Sequence, residues 1–210
     1  GDDQVVGAGP APGRRVRQVG DRALEAFVPR GDPCLPAQRA ALECYRKLGD
    51  HRREGDSLRS LSEILWCPGR VEESQRAGRE AVAALEPLPP GRELALAYSI
   101  LARFEERVAL SRHALELAER VDDTEIVVRT LASLGFAESL TGMSEGVEKL
   151  TRALQLARRA GLPEQVGNTF DLLVLASVHT RSHASASEYL DAGIRFCSEH
   201  GFELYRLYLL

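Results

Sequence analysis

What the 210-residue sequence lacks narrows its function early. It has no GxxxxGK[ST] loop to cradle a phosphate and no paired CxxC spacing among its four cysteines, Cys34, Cys44, Cys67 and Cys197. No apolar run approaches the roughly 18 residues that cross a bilayer, which argues against a membrane partner. There is no charged-then-apolar leader, and the first residue is glycine, as expected of a trimmed fragment. Basic charge is not in excess: 27 Lys and Arg stand against 31 Asp and Glu, so no basic field exists to hold a nucleic-acid backbone. The cysteines read as reduced, mostly buried thiols of a cytoplasmic protein. Aromatics are scarce at 6%, with a single tryptophan, Trp66.

What the sequence has is a repeat. Small-then-aliphatic steps occur at Ala41-Leu42, Ala81-Val82, Ala114-Leu115, Ala153-Leu154 and Gly193-Ile194, spaced 40, 33, 39 and 40 residues apart. A second register agrees. Leu61, Leu101, Leu134 and Leu173 align at spacings of 40, 33 and 39, each preceded three residues earlier by Leu58, Tyr98, Leu131 or Phe170. Large apolar residues at i, i+3 and i+7 mark one stripe of an amphipathic helix. Each unit is therefore a helix pair, A then B. Its small residues let two backbones approach closely, and one pair cannot bury its own apolar face. The expected fold is all-α: an α-solenoid of about five stacked antiparallel pairs over residues 33–210, after an irregular segment at 1–32. Pro87, Pro89 and Pro90 fall between units, and Pro163 opens a helix where its missing N–H costs nothing.

The pattern breaks in two places. Only 13 residues separate Leu101 from Ala114, against 20 from Leu61 to Ala81 and 19 from Leu134 to Ala153. Either one long helix runs through this stretch or about seven residues are missing near 103–106, the expectation preferred here because both flanking registers hold. Residues 1–32 contain one helix-like piece, RRVRQVGDRALEAF, among glycines and prolines. At the other end FELYRLYLL starts a sixth A helix, so a continuation of the array is expected.

No residue group argues for catalysis. Val5-Val6-Gly7-Ala8-Gly9 is followed by Pro10 and Pro12, which prevent a phosphate-binding helix start. His179 and His183 have i, i+4 spacing, but the unit register puts a turn at Arg181-Ser182, and no third ligand is near in sequence. SHASASEYLD holds serine, histidine and acid, yet reads better as the capped start of a B helix, with Ser182 or Ser185 near the cap. Neither cofactor nor metal is expected.

Unit 2 resembles the tetratricopeptide (TPR) pattern: Leu58, Leu61, Ser62, Leu65, Gly69, Ser74, Gly78 and Ala81 occupy its large, small and turn positions. It departs from it in a period nearer 40 than 34 and in Gly78 and Leu150, where an aromatic is usual. The phrases ECYRKLGDHRREGDSLRSLSEILWCPGRVEES, EPLPPGRELALAYS, HALELAERVDDTE and YRLYLL resemble the helical-repeat region of large ATP-binding transcriptional regulators of the LuxR type. The resemblance covers about residues 36–210 and implies an AAA-like (STAND) ATPase module before the repeats and a helix-turn-helix domain after them. It also implies a sensor role, in which a peptide, a small inducer or the protein's own ATPase module is bound.

In a stacked array the A helices line the concave side, the usual binding face. Groove positions taken from the register are Arg59, Glu63 and Trp66 in unit 2 and Ser99 and Arg103 in unit 3. Unit 4 adds Ala132, Phe136 and Ser139, and unit 5 adds Asp171, Leu175 and Val178. Trp66 is either a binding anchor or part of the packing onto the next unit. The expected function is a non-catalytic, TPR-like sensor or protein-interaction domain of a cytoplasmic LuxR-type regulator. The alternative is a stand-alone TPR scaffold.

Overall fold

Each stripe of leucines forms a helix, and the left-handed glycines Gly49, Gly69, Gly142, Gly161 and Gly201 each follow the end of one. A computed structural model describes residues 34–66, 69–143 and 145–209. The segment 1–32, with its helix-like piece, and Cys67 lie outside the described residues. The first described helix, α1 (Cys34–Leu48), is the B helix of unit 1. Four pairs follow: α2 (His51–Trp66) with α3 (Val71–Leu85), α4 (Arg92–Leu101) with α5 (Arg107–Val121), α6 (Thr124–Leu140) with α7 (Glu145–Arg159), and α8 (Pro163–His179) with α9 (His183–His200). Helix α10 (Glu203–Tyr208) begins a sixth unit. No strand occurs among the described residues.

The repeat columns are the packing. Ala81, Ala114 and Ala153 are each 0% exposed, where a larger side chain would hold the helices apart. In unit 2 the crossing is fastened by reciprocal bonds: Ser62 Oγ donates to Ser74 O at 2.8 Å, and Ser74 Oγ donates to Ser62 O at 2.6 Å. In unit 4 Gly135 and Gly146 bring α6 and α7 so close that a Cβ on Gly146 would lie 2.5 Å from Gly135 O and from Ser139 N. Gly69 and Gly142 make the A–B turns with φ of +75° and +79°, the left-handed conformation that suits glycine. Pro163 takes the first turn of α8, and Asp123 caps α6 by accepting from the N–H groups of Glu125 and Ile126.

Successive A helices pack backbone near backbone (α2 with α4, α4 with α6, α6 with α8, α8 with α10), whereas the B helices among the described residues stand farther apart and meet through long side chains, as Arg46 does with Glu80. The A helices therefore form the inner, concave layer and the B helices the outer one. Two apolar cores run along the layers. One spans Leu42 to Ile126 and the other Val128 to Ala176, with the changeover inside α6.

Three expectations are corrected. Unit 3 needs neither a long helix nor extra residues to close. Helix α4 stops at Leu101 after 10 residues, the chain turns through 102–106, and α5 starts at Arg107. The register is kept because helix A gives up its last turn and a half, with Glu106 left-handed at the turn (φ +40°). The thiols are not mostly buried: Cys34 and Cys44 are exposed and Cys197 is buried. Ser182 stands at the N-cap of α9 but makes no side-chain capping bond; its Oγ accepts from Thr180 instead.

Candidate concave binding face

The inner face begins with α2. Arg59 is fixed there by its neighbours one turn away, with Nε donating to Asp56 at 2.7 Å and Nη1 to Glu63 at 2.8 Å. Glu63 also takes an ion pair from Arg129 of α6, so a carboxylate on one A helix and a guanidinium two A helices along meet over α4. Helix α4 carries small buried side chains on this side, Ala95 and Ser99, and Ala102 just past its end is buried as well. Arg129 sits deep enough, and near enough to Arg59, that its pKa is lowered, desolvation being the larger cause. It was not among the groove residues read from the sequence. It lies five positions before the aligned Leu134, one turn outside the columns considered, and arginine's long apolar stem is what lets that position reach α2.

Trp66 ends α2, is 42% exposed, and meets Phe104 of the 102–106 turn edge-to-face at 5.4 Å. It is thus both packed on the next unit and open on its remaining face. Arg103 stands in the same turn and is half-buried. Phe136 is half-buried on α6, against the second core.

Three residues placed in the groove from the register are closed off. Ser99 is 4% exposed and its hydroxyl lies 3.0 Å from that of Ser133, so it joins α4 to α6. Ser139 is 1% exposed; its hydroxyl donates to Gly135 O at 2.8 Å and packs on Gly146 at the α6–α7 crossing. Ala132 is likewise buried. Serine suits a close crossing as well as a polar surface, which is why the register alone placed these residues outside.

Helix α8 presents a different surface. Asp171 is half-buried, and burial pushes its carboxyl up to about 6. Among the described residues it has neither a hydrogen bond nor an ion pair; its one electrostatic neighbour is the buried thiol of Cys197. One and two turns on, Leu175 and Val178 are 47% and 53% exposed. Tyr205 of α10 closes this end, its ring 3.2 Å from where a Cβ on Gly167 would sit, and burial raises its phenol to about 12. The inner face is thus charged and internally paired at α2 and α6, and apolar with one unpaired acid at α8. His179, once weighed as a ligand, has Nε2 3.2 Å from Leu140 O. No cluster of three His, Cys, Asp or Glu side chains is placed to hold a metal among the described residues.

The fold is that of the TPR-like helical-repeat proteins. The solved structures it matches include a Rap protein in complex with competence and sporulation factor, at TM-score 0.70 and 16% identity over 90% of this chain and 54% of that one. Aspartyl phosphate phosphatase F from Bacillus subtilis matches at TM-score 0.58 and 16% identity, over 74% of this chain and 43% of that one. Nearly identical TPR-like repeats from a Podospora anserina protein described as a kinesin light chain match at TM-score 0.52 and 17% identity, over 90% and 95%. The chain therefore spans about half the length of the first of these. No family model matches it, and no curated protein does. Among the described residues no helix is long and apolar enough to cross a membrane.

Proposed function

We propose that this chain is a non-catalytic interaction module that binds a protein or peptide segment on its concave face. The observation that carries the reading is the layering: the A helices touch in succession to form a continuous inner surface, on which Trp66 keeps an open face near the Arg59–Glu63–Arg129 cluster. An aromatic side chain left open on the concave layer of a helical array is the kind of anchor a polypeptide ligand uses. The Rap structure, which holds competence and sporulation factor on a similar fold, supports a polypeptide ligand. Peptides selected from a random linear library should, when bound, slow amide hydrogen exchange in α4, α6 and α8. Slowing confined to α3, α7 and α9 would overturn the reading.

The wider setting we propose is a cytoplasmic LuxR-type ATP-binding regulator, in which the occupant is a peptide, a small inducer or the regulator's own ATPase module. The phrases spanning residues 43–74, 86–99 and 113–125 support it. A stand-alone scaffold is the second reading, favoured by the match to an array of TPR-like repeats along 95% of that chain. The flanking gene sequence separates the two. A phosphate-binding loop upstream and a helix-turn-helix downstream mark the regulator, and their absence marks the scaffold.

A further inference from the structure

The outer side of the array carries a cavity of its own. In three of the grooves between successive B helices, a side chain from the A helix beneath reaches both walls. Tyr98 of α4 donates to Glu86 just past α3 and meets His113 of α5 edge-on at 4.7 Å. Glu138 of α6 pairs with Arg112 of α5 and Lys149 of α7. Phe170 of α8 lies 5.3 Å under Arg158 of α7 and 6.2 Å from Phe196 of α9. The α1–α3 groove instead has Leu58 of α2 in the column of Tyr98 and Phe170, and leucine is too short to fill it. A cavity of about 300 Å³ is left, floored by Leu42, Leu58, Leu61 and Ala77. Its whole lining falls within residues 39–80, with the A helix and both B helices in place.

The walls bring their charges into register. Arg39 and Arg46 of α1 pair across the groove with Glu73 and Glu80 of α3, at 3.6 and 3.3 Å. Between these two closed contacts lie Glu43 on α1 and Arg76 on α3, both exposed and both lining the cavity. That middle pair is open. Among the described residues Arg76 has neither an ion pair nor a hydrogen bond, and the one cation on Glu43 is Arg46, 3.8 Å away and shared with Glu54 and Glu80. We propose that the α1–α3 cavity is a binding site for a free α-amino acid with an aliphatic or aromatic side chain. Its ammonium group meets Glu43, its carboxylate takes Arg76, and its side chain lies on the apolar floor. Three arginines and three glutamates line the cavity, so a ligand of one charge gains at one wall and loses at the other, whereas a zwitterion gains at both. At about 300 Å³ the space is at the small end of ligand pockets, roughly 300–1,000 Å³, which suits one amino acid and not a nucleotide or a peptide. The site is separate from the concave face and does not depend on what binds there.

Nuclear magnetic resonance titration of the purified chain with leucine, phenylalanine, N-acetylleucine and leucine amide tests this. Leucine or phenylalanine should move the amide signals of α1 and α3 and leave those of α7, α8 and α9 in place. N-acetylleucine lacks the ammonium and leucine amide the carboxylate, so each should bind about tenfold or more weakly. Glu43→Gln and Arg76→Gln, at exposed positions, should lose leucine by the same factor, and Leu58→Tyr should abolish binding by filling the cavity as Tyr98 fills the next groove. Melting midpoints establish that each variant is folded; if Leu58→Tyr is not, the two exposed variants decide. The proposal is overturned if neither amino acid binds with a Kd below about 1 mM. It is equally overturned if the acetylated or amidated form binds as well as leucine, if Glu43→Gln and Arg76→Gln bind like wild type, or if a folded Leu58→Tyr still binds.

Discussion

Asp171 is a carboxyl held partly out of water with no counter-charge among the described residues. Its folded pKa, about 6, lies above the value of 3.8 it has in an unfolded chain, because burial penalises the charged form. A carboxyl raised in this way holds its proton more tightly when folded. It costs nothing below about pH 4 and takes stability away as the pH rises through about 6. Asp171→Asn should therefore stabilise the fold at pH 7.5 by on the order of 1–2 kcal/mol after allowing for partial exposure, raising the melting midpoint there and leaving it unchanged at pH 4. Thermal melts of both proteins at the two pH values check it, and an equal shift at both would show that packing, not charge, sets the difference. Glu138 is the contrasting case. It is 1% exposed, yet Lys149 Nζ stands 2.7 Å away and Arg112 3.6 Å, so its charge is met inside the protein.

At the scale of the helix pair, the same small-residue column tolerates substitution very differently from unit to unit. Gly78 and Gly146 are both helical and buried. A Cβ on Gly78 would meet Ser62 Oγ at 3.3 Å and Leu101 Cδ1 at 3.8 Å, both side chains, whereas one on Gly146 would press into the backbone of α6 at 2.5 Å. Gly78→Ala should change stability by less than about 1 kcal/mol, since the gain in helix propensity offsets the crowding. Gly146→Ala should cost about 2–3 kcal/mol or more, because backbone cannot step aside. Denaturant midpoints for the two variants give the comparison. The columns themselves were legible in the sequence: the alanines, the leucines and the turn glycines all stand where the period put them. The spacing of each crossing was not, because small residues permit an approach without specifying its distance. For the same reason Ser99 and Ser139 could not be told from groove residues, while Trp66, Leu175 and Val178, taken from the same columns, are exposed. The Glu63–Arg129 bridge went unseen because it depends on a shortened α4 and a side chain reaching across it, and neither leaves a local signature. The 33-residue spacing of unit 3 signalled an irregularity, but not whether helix A, helix B or the turn would absorb it.

For the molecule as a whole, the shortened unit matters more than its length suggests. Stacked repeats are stabilised by their own packing and by each interface with a neighbour, so an array is only as cooperative as its weakest joint. Here the apolar core divides inside α6, with Ile126 closing the first cluster and Val128 opening the second. Across that division the inner layer is joined by polar contacts, the Ser99–Ser133 hydroxyl pair and the Glu63–Arg129 bridge. Polar contacts of this kind contribute less per contact than buried leucine, because their desolvation offsets much of the gain, so the two halves should open as separate units. Phe170 is the largest of the fully buried side chains, seated in the second core against Gly193 and under Arg158. Phe170→Leu removes part of that packing, at a cost of about 1–2 kcal/mol, without touching the first core. Native-state hydrogen exchange on the variant should lose protection across α7, α8 and α9 while α2 and α3 keep wild-type rates. If protection falls equally in all five helices, the array is one cooperative unit, and the break in the core at α6 has no energetic consequence.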